Sequence, residues 1–381
     1  SDWTNAVGFG GRTVKLRYKI LLGLVVIIAG AITALALTLT YTADCEPVPA
    51  VADGRETMQA VMSRCYGSTD ALTLETVEKP VPEPDELLIR VKAAAVNPLD
   101  YHYMRGSPYL MRLMSGIGRP KDVRTGVDFA GVVEAVGGEV TRFRVGDAVF
   151  GGASGAFAEY LTIREDAGVA LKPDTVSFEA AASMAIAAIT ALQALRDHGE
   201  VIAEDRVLIN GASGGVGSFA VQMAKSMGAT VTGVCSTSNV PLVKELGADA
   251  VIDYKQEDYT TRPERYDAII DMVGNHSPSK NHSLLEEGGR YVLVGGPKGD
   301  WIAPLKRPLQ AMWTSNFVDE KLVTMLATTN SDDMSVLADM LAHQDVEPKL
   351  DRTYALSEIA DAIQYSESQR ARGKIIIDVD L

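Results

Sequence analysis

The chain is 381 residues long, carries a formal net charge of −14 at pH 7, and is 46% apolar. This acidic charge argues against nucleic acid as a partner, since phosphate recognition needs a basic surface. Three cysteines without a Cys-x-x-Cys spacing exclude a disulfide framework and a four-cysteine zinc site. The sequence leaves open whether Cys45 and Cys65 bond to each other.

An uncharged apolar run near the N-terminus extends from Ile20 to Ala43. As a helix it would be about 36 Å long, which is enough to cross a bilayer. The alternative is a cleaved signal peptide, but such peptides have an apolar core of only about 7–15 residues. We therefore predict an N-terminal segment over 1–19, a single transmembrane helix over 20–43 and a linker over 44–57.

Short β-rich segments separated by Gly, Pro and Asp turns run from residue 58 to residue 176 and predict an antiparallel β region. Helical spacing begins near Ser177, and strands then alternate with helices to about residue 312. This alternation predicts an α/β domain with a doubly wound parallel sheet over 177–312. Beyond it, helical patterns cover 315–330, 332–344 and 356–368 before a last strand. A further helix is predicted over 279–288.

A glycine-rich turn joins a predicted strand to a predicted helix in the second domain. Glycine allows phosphate to approach the backbone closely, and the helix N-terminus attracts anions. Against the pattern G-x-G-x-x-G, alanine stands at the first glycine. A tight turn without a ligand is the alternative, but the flanking strands and helix favour a dinucleotide site. Its predicted cofactor-binding residues are Asn210, Gly211, Ser213, Gly214, Gly215, Val216 and Gly217.

The end of the following strand predicts which dinucleotide binds. Cys235, Ser236 and Thr237 stand where an NAD site would carry Asp or Glu. The two hydroxyls could donate to a 2′-phosphate, and Lys244 or Lys255 could neutralise it, so NADPH is favoured over NADH. The alternative is a hydroxyl-rich turn that discriminates poorly, since no arginine is present there.

Six stretches resemble the medium-chain dehydrogenase/reductase superfamily, and specifically its zinc-independent quinone oxidoreductase branch. They occur in the family's order and are AAAVNPLD (93–100), GVDFAGVVEAVG (126–137), VGDAVFG (145–151), NGASGGVG (210–217), LGADAVIDY (246–254) and ARGKIIID (371–378). The resemblance implies a GroES-like β domain built from 58–176 and 313–381, with the Rossmann domain 177–312 inserted between them.

The resemblance also indicates a site without zinc. Zinc-dependent relatives place a cysteine ligand near the position of Asn97 and a histidine in a Gly-His-Glu motif, which here reads Gly126-Val127-Asp128. Valine cannot ligate a metal, and the five histidines show no ligand spacing. We therefore predict no metal site and no zinc.

Without a metal, the electrophile must be activated by conjugation and by hydrogen bonds to the oxygen that gains charge. Quinones and α,β-unsaturated carbonyls meet this requirement. The resemblance assigns Asn97 as a hydrogen-bond donor near the reacting carbonyl and Tyr101 or Tyr103 as proton donor, while Asp100 orders its own loop. A simple turn at Asn97 and tyrosines that only pack are the alternatives. Thr190, Tyr254 and Lys374 match positions near the cofactor.

The predicted function is that of a membrane-anchored, NADPH-dependent oxidoreductase that transfers hydride to lipophilic quinones or enones. Its partners would be that substrate and the bilayer, through residues 20–43. The alternative is a non-catalytic NADPH-binding sensor in a larger membrane complex, where small residues of the span could pack closely. Basic residues precede the span and acidic residues follow it, which places the body outside the cytosol, although NADPH is a cofactor of the cytosol or of an organellar matrix. The side of the membrane therefore stays open.

Overall fold

The computed structural model describes residues 8–296, 299–301, 303–315 and 320–380. The described part forms a long N-terminal helix followed by a body with two sheets. The predicted N-terminal segment 1–19 lies partly outside the described residues.

The N-terminal helix α1 spans Gly8–Thr40, so it begins before the predicted residue 20 and ends before the predicted residue 43. Its part Tyr18–Thr40 is long and apolar enough to cross a membrane and is exposed over most of its length. The helix ends at Thr40 because the chain then pairs with the body, where the amide of Ala43 donates to the carbonyl of Gly118 at 2.9 Å.

The first part of the body supplies most of the antiparallel β domain, as expected. Apolar and polar residues alternate along its strands, and continuous apolar residues occur where a strand is covered on both faces. The elements are β1 (Thr57–Ser63), β2 (Leu72–Glu78), β3 (Glu86–Val96), α2 (Pro98–Arg105), α3 (Arg112–Ser115), β4 (Asp128–Val136), β5 (Ala148–Gly152), β6 (Tyr160–Arg164) and β7 (Val169–Leu171).

The second domain is a six-stranded parallel sheet with strand order β10-β9-β8-β11-β12-β13 and helices on its faces. This is the doubly wound sheet that the sequence predicts. Its elements are α4 (Phe178–Ala182), α5 (Ala185–Gln193), β8 (Arg206–Asn210), α6 (Gly215–Ser226), β9 (Thr230–Cys235), α7 (Val240–Glu245), β10 (Ala250–Asp253), β11 (Tyr266–Asp271), α8 (Pro278–His282), β12 (Leu285–Leu293), α9 (Ala303–Thr314), β13 (Lys321–Thr324) and α10 (Ser331–Ala342).

The C-terminal part returns to the first domain through β14 (Leu350–Ala355), α11 (Ile359–Glu367) and β15 (Lys374–Asp378). The seven-stranded sheet has the order β14-β15-β3-β4-β5-β7, and β6 pairs with β3. The last strand therefore pairs with the strand that leads to Asn97. This pairing brings the two ends of the body together at one side of the second domain.

Three predictions about the C-terminal third are wrong. The predicted helix over 315–330 is replaced by strand β13, apart from residues 316–319, which lie outside the described residues. Leu322, Met325 and Leu326 have helical spacing, yet Leu326 is exposed and the other two are buried in the sheet layer. The predicted helix over 279–288 stops at His282, because the chain enters β12 at Leu285. Since β13 belongs to the second sheet, the domain boundary lies beyond residue 324 and not at 312.

The predicted linker 44–57 is bound to the body at its beginning. Cys45 and Cys65 form a disulfide with a Cα–Cα distance of 4.5 Å, which answers the question that the sequence leaves open. Glu46 Oε1 forms an ion pair with Arg119 Nη1 at 3.1 Å. The junction between helix and body is therefore fixed at several points.

Candidate active site

A cleft of about 570 Å³ opens between the two sheets, where the carboxyl ends of β8, β9 and β11 face α2 and the start of β15. Ligands of doubly wound sheets bind at this kind of edge. Thirteen of the sixteen predicted site residues line the cleft: Asn97, Tyr101, Asn210, Gly211, Ser213, Gly214, Gly215, Val216, Gly217, Cys235, Ser236, Tyr254 and Lys374. Tyr103, Thr190 and Thr237 are not among its lining residues.

The glycine turn has the shape that an anion site needs. Gly211 has φ of 89°, which favours glycine, and a Cβ on Gly217 would lie 2.1 Å from the carbonyl oxygen of Gly211. Both glycines are therefore required by the backbone. Around Gly214 and Gly215, in contrast, a Cβ would meet no atom closer than 3.5 Å. The start of α6 therefore faces open space in the cleft, with its unpaired N–H groups available to a phosphate.

The floor of the cleft is held by a carboxylate that the sequence analysis did not single out. Asp271, fully buried, accepts hydrogen bonds from Asn210 Nδ2 at 2.8 Å, from the Tyr291 hydroxyl at 2.8 Å and from two backbone amides. The amide of Asn210 also donates to Asn275 Oδ1 at 2.9 Å. Asn210 is thus fixed in orientation, with its Nδ2 protons engaged within the protein.

A second side chain that the sequence analysis missed is Asn239, which lines the cleft near the end of β9. Its Nδ2 donates to Ser213 Oγ at 2.9 Å, while its Oδ1 is buried and has no hydrogen-bond partner. Leaving a buried acceptor unpaired is costly, so this oxygen is suited to a donor from a ligand. The asparagine could not have been recognised from the sequence, because no motif marks it.

The predicted 2′-phosphate contacts are only partly supported by the geometry. Ser236 lines the cleft, but the Thr237 hydroxyl donates to Asp253 Oδ2 at 2.6 Å. The predicted role of Thr237 as a phosphate donor does not fit this arrangement, because its single proton is already used. Lys255 has its Nζ 5.1 Å from the ring centroid of Tyr254, which places a cation beside a residue of the cleft.

Cys235 is buried at the end of β9, and this burial raises the pKa of its thiol to about 11. The neighbouring carboxylate of Asp253 shifts the pKa in the same direction. The side chain therefore stays a neutral thiol at physiological pH. It can pack against a ligand but is not a nucleophile here.

At the opposite end of the cleft, three polar side chains form a buried network. Lys374 Nζ donates to Asn97 Oδ1 at 2.6 Å and to Asp128 Oδ2 at 3.0 Å, and all three residues are buried. The other carboxylate oxygen of Asp128 accepts the amide of Ile186 at 3.0 Å. Strands β3, β4 and β15 bring these residues together. Asp128 stands in the motif that carries glutamate in zinc-dependent relatives.

This network orients the amide of Asn97. Because Oδ1 accepts from Lys374, the Nδ2 group is left with only a long contact of 3.4 Å to the carbonyl of Ala95. A donor that is so weakly engaged within the protein is available to an acceptor in the cleft. The assignment of oxygen and nitrogen follows from the hydrogen bonds, since an ammonium cannot accept.

Asp100 orders its own loop, as expected. Its carboxylate accepts the backbone amide of Asn97 at 2.7 Å and so caps helix α2, which begins with Pro98. Burial raises the pKa of Asp100 to about 7, and the charge of Asp128 acts in the same direction. The hydrogen bond from the backbone amide of Asn97 and the charge of Lys374 lower this pKa.

The structure separates the two candidate tyrosines. Tyr101 is half-buried and lines the cleft, and burial raises the pKa of its phenol, which therefore keeps its proton at physiological pH. Tyr103 is exposed and does not line the cleft. Thr190 is buried in α5, where its hydroxyl donates to the carbonyl of Ile186 at 2.6 Å. Of these three residues, only Tyr101 has its side chain placed for the predicted role.

The described residues contain no group of three or more His, Cys, Asp or Glu side chains that could hold a metal ion. Val127 occupies the histidine position of the zinc motif.

Two stretches match known protein families: residues 83–174 match the alcohol dehydrogenase GroES-like domain, and residues 246–377 match the zinc-binding dehydrogenase family. The chain is 33% identical to a chloroplastic quinone-oxidoreductase homolog of Spinacia oleracea, over 84% of this chain and 98% of that protein. It is 31% identical to a chloroplastic NADPH-dependent alkenal/one oxidoreductase of Arabidopsis thaliana, over 84% and 79%.

The solved structure of the quinone oxidoreductase from Coxiella burnetii matches with a TM-score of 0.75 and 30% identity, covering 85% of this chain and all of that one. The chain belongs to the medium-chain dehydrogenase/reductase superfamily. The family resemblance and the two-domain α/β fold expected from the sequence are thereby confirmed. Members of this superfamily are typically NAD(P)-dependent oxidoreductases, and the glycine turn of this chain has the corresponding shape.

Proposed function

We propose that the protein is a membrane-anchored, NADPH-dependent reductase of quinones or α,β-unsaturated carbonyls that transfers hydride without a metal. The observation that carries the proposal is the composition of one cleft. A glycine cradle at a helix N-terminus faces the Asn97 amide and the Tyr101 phenol across it. The names of the plant and bacterial relatives support this substrate class.

The residues of the cleft fit NADP(H). Gly214 and Gly215 leave room for a pyrophosphate, and the unpaired Oδ1 of Asn239 offers an acceptor for a ribose hydroxyl. Ser236 provides a hydrogen-bond donor and Lys255 a cation for a 2′-phosphate. When bound, the nicotinamide supplies the hydride.

The reacting end can hold and protonate an oxyanion. Asn97 donates through Nδ2 to the oxygen of the acceptor, because Lys374 fixes its other amide atom. A hydrogen-bond donor fixed in this way stabilises negative charge on the acceptor oxygen, and electrostatic stabilisation of this kind is a large catalytic term. Tyr101 keeps its proton and can pass it to the product.

Three observations support an anchored body, and the second and third favour a position outside the cytosol. The apolar part of α1 is exposed over most of its length, as a bilayer-spanning helix would be. The Cys45–Cys65 disulfide follows directly after it, and disulfides persist in oxidising compartments and are rare in the cytosol. The basic residues before the helix favour the same topology. The compartment that holds the body must then supply its NADPH.

The test is oxidation of NADPH by the purified full-length protein in detergent, with a panel of quinones, enones and saturated ketones. We expect turnover with quinones or enones, none with saturated ketones, and no loss of activity after treatment with a chelator. Activity lost on chelation would overturn the metal-free mechanism. Tight NADPH binding without turnover of any acceptor would favour the sensor function.

Two tyrosine variants provide a matched pair for the mechanism. Tyr101→Phe is expected to lower kcat for enone reduction by about 10²-fold, the typical contribution of one general acid. Tyr103→Phe should leave kcat unchanged, because its side chain lies outside the cleft. Equal effects of the two substitutions would remove Tyr101 from its assigned role.

A further inference from the structure

The exit of α1 from the body is held by specific contacts. Arg112 Nη1 donates to the carbonyls of Leu39 at 3.0 Å and Tyr41 at 2.8 Å, so its cation caps the C-terminal end of the helix. Leu39 is fully buried. The Cys45–Cys65 disulfide adds a covalent tie a few residues later. The direction in which the helix leaves the body is therefore defined.

The segment over residues 109–118, here named the exit loop, contains the short helix α3 and lies against this junction. Its Leu113, Met114 and Ile117 side chains are 53%, 82% and 51% exposed. Gly118 lies beside the helix exit, since its carbonyl accepts the amide of Ala43 and a Cβ added to it would lie 3.1 Å from the ring of Tyr41. Isolated exposed apolar residues are common, but three within five positions beside the end of an apolar helix are a local concentration of exposed apolar side chains.

Aromatic side chains border the exit loop. Tyr109 packs edge-on against Trp301 with ring centroids 4.9 Å apart, and its amide donates to the carbonyl of Asp300 at 2.8 Å. Trp301 is 38% exposed, and Tyr41 is exposed at the end of the helix. Trp and Tyr are enriched at the level of lipid headgroups, where their amphipathic rings are stable.

The exit loop is also connected to the cleft. Helix α2 has 8 residues and is about 12 Å long, and its caps are Asn97 at the N-terminus and Gly106 at the C-terminus. Arg112 Nε donates to the carbonyl of Gly106 at 2.8 Å. The residue that caps the membrane helix therefore also fixes the end of the helix that carries Tyr101. Helix α2, which carries Tyr101 into the cleft, is therefore linked to the exit loop within a short stretch of chain.

We infer that the exit loop, together with Trp301, docks on the lipid surface around α1 and turns the mouth of the cleft toward the bilayer. The occupant of this apolar surface is the headgroup and upper acyl region of the membrane, because the surface continues from the end of the helix that enters it. A lipophilic acceptor then reaches the cleft from the membrane. This inference rests on the proposed anchor and the proposed activity.

The first test measures depth and does not depend on catalysis. Full-length Met114→Cys, spin-labelled and placed in phosphatidylcholine nanodiscs, should be more accessible to dissolved oxygen than to a water-soluble nickel chelate. Leu326→Cys is the matched control, since it is 88% exposed and follows the edge strand of the other sheet. The label at position 326 should be more accessible to the nickel chelate than to oxygen. Background labelling of the native free cysteine is measured on the unsubstituted protein, in which Cys235 is buried.

If positions 114 and 326 show the same preference for the chelate, the docking inference is overturned. Failure of the protein to enter nanodiscs would overturn it together with the anchor. Absence of NADPH turnover in detergent would instead remove the proposed activity, while a lipid-exposed position 114 would still support docking. The three failures are therefore distinguishable.

The second test uses substrates of different lipophilicity. In proteoliposomes, Met114→Asp should raise KM for decylubiquinone about tenfold, because a charge opposes interfacial docking. KM for unsubstituted benzoquinone and for NADPH should not change, and Leu326→Asp should change none of the three. Equal changes for the two quinones, or no change for either, would contradict entry from the membrane.

Discussion

The buried network of Lys374, Asn97 and Asp128 should contribute measurably to the free energy of unfolding. Lys374→Met removes the ammonium that donates to Asp128 at 3.0 Å and to Asn97 at 2.6 Å. Asp128 is fully buried, and removing one partner of a buried ion pair typically costs about 3–5 kcal/mol. For a body of this size, about 1 kcal/mol corresponds to about 2 °C. We therefore expect the unfolding midpoint to fall by about 6–10 °C.

The assay is thermal unfolding of the full-length protein in detergent, without cofactor, for Lys374→Met, Asp128→Leu and the double variant. The double variant removes both charges, so its loss should be smaller than the sum of the single losses by about 2 kcal/mol or more. Lys92→Met is the matched control, because Lys92 bonds Asp380 at 2.6 Å on the surface, where ion pairs contribute below about 1 kcal/mol. Additive single losses, or a Lys374→Met loss no larger than the control's, would refute the reasoning.

Three more predictions follow from the structure. Cys45→Ser opens the loop that the disulfide with Cys65 closes over 20 positions and should cost about 3 kcal/mol of stability. A reductant should lower the unfolding midpoint of the unsubstituted protein but not that of the variant. Equal sensitivity of the two proteins to the reductant would contradict a stabilising disulfide. The pKa of Asp100 is about 7 in the folded protein and near 3.8 in the unfolded chain, so the stability it contributes is present below about pH 4 and lost as pH rises through 7. In urea titrations, Asp100→Asn should lack this loss, which is up to about 4 kcal/mol; a parallel pH dependence in both proteins would exclude Asp100 as its source. Lys255→Ala should raise Kd for NADPH about tenfold and leave Kd for NADH unchanged. Lys92→Ala is the control, because Lys92 bonds Asp380 on the surface of the other sheet. Equal losses of affinity for the two dinucleotides would exclude a 2′-phosphate contact.

The second domain was readable from the sequence because its signals are local. The glycine turn lies between a strand and a helix within a few residues, and Gly211 and Gly217 have steric reasons to be glycine. The error at β13 is also local in origin. Its strand has only four residues at a sheet edge, and the apolar residues around it have the i, i+3, i+4 spacing of a helix.

The reacting end of the cleft could be placed only through the family resemblance, because its contacts join distant parts of the chain. Lys374 and Asp128 are separated by 246 positions, and their contact exists only because β15 and β4 flank β3 in the sheet. The same holds for Asn239, because its Nδ2 donates to Ser213 Oγ across 26 positions while its Oδ1 stays buried and unpaired. Long-range contacts of this kind leave no periodic signal in the sequence.

The contacts at the end of α1 favour a retained span over a cleaved signal peptide. From the sequence, the length of the apolar run was the distinguishing feature. Cleavage near the end of the helix would remove the Leu39 carbonyl and expose the pocket that buries Leu39. Arg112 is itself buried, so its guanidinium would lose acceptors in a place where water cannot fully replace them, at a cost of about 1.5–3 kcal/mol for each charged hydrogen bond. A signal peptide has no reason to be built into the folded body in this way. The body uses the helix end as a structural part, which supports retention of the span.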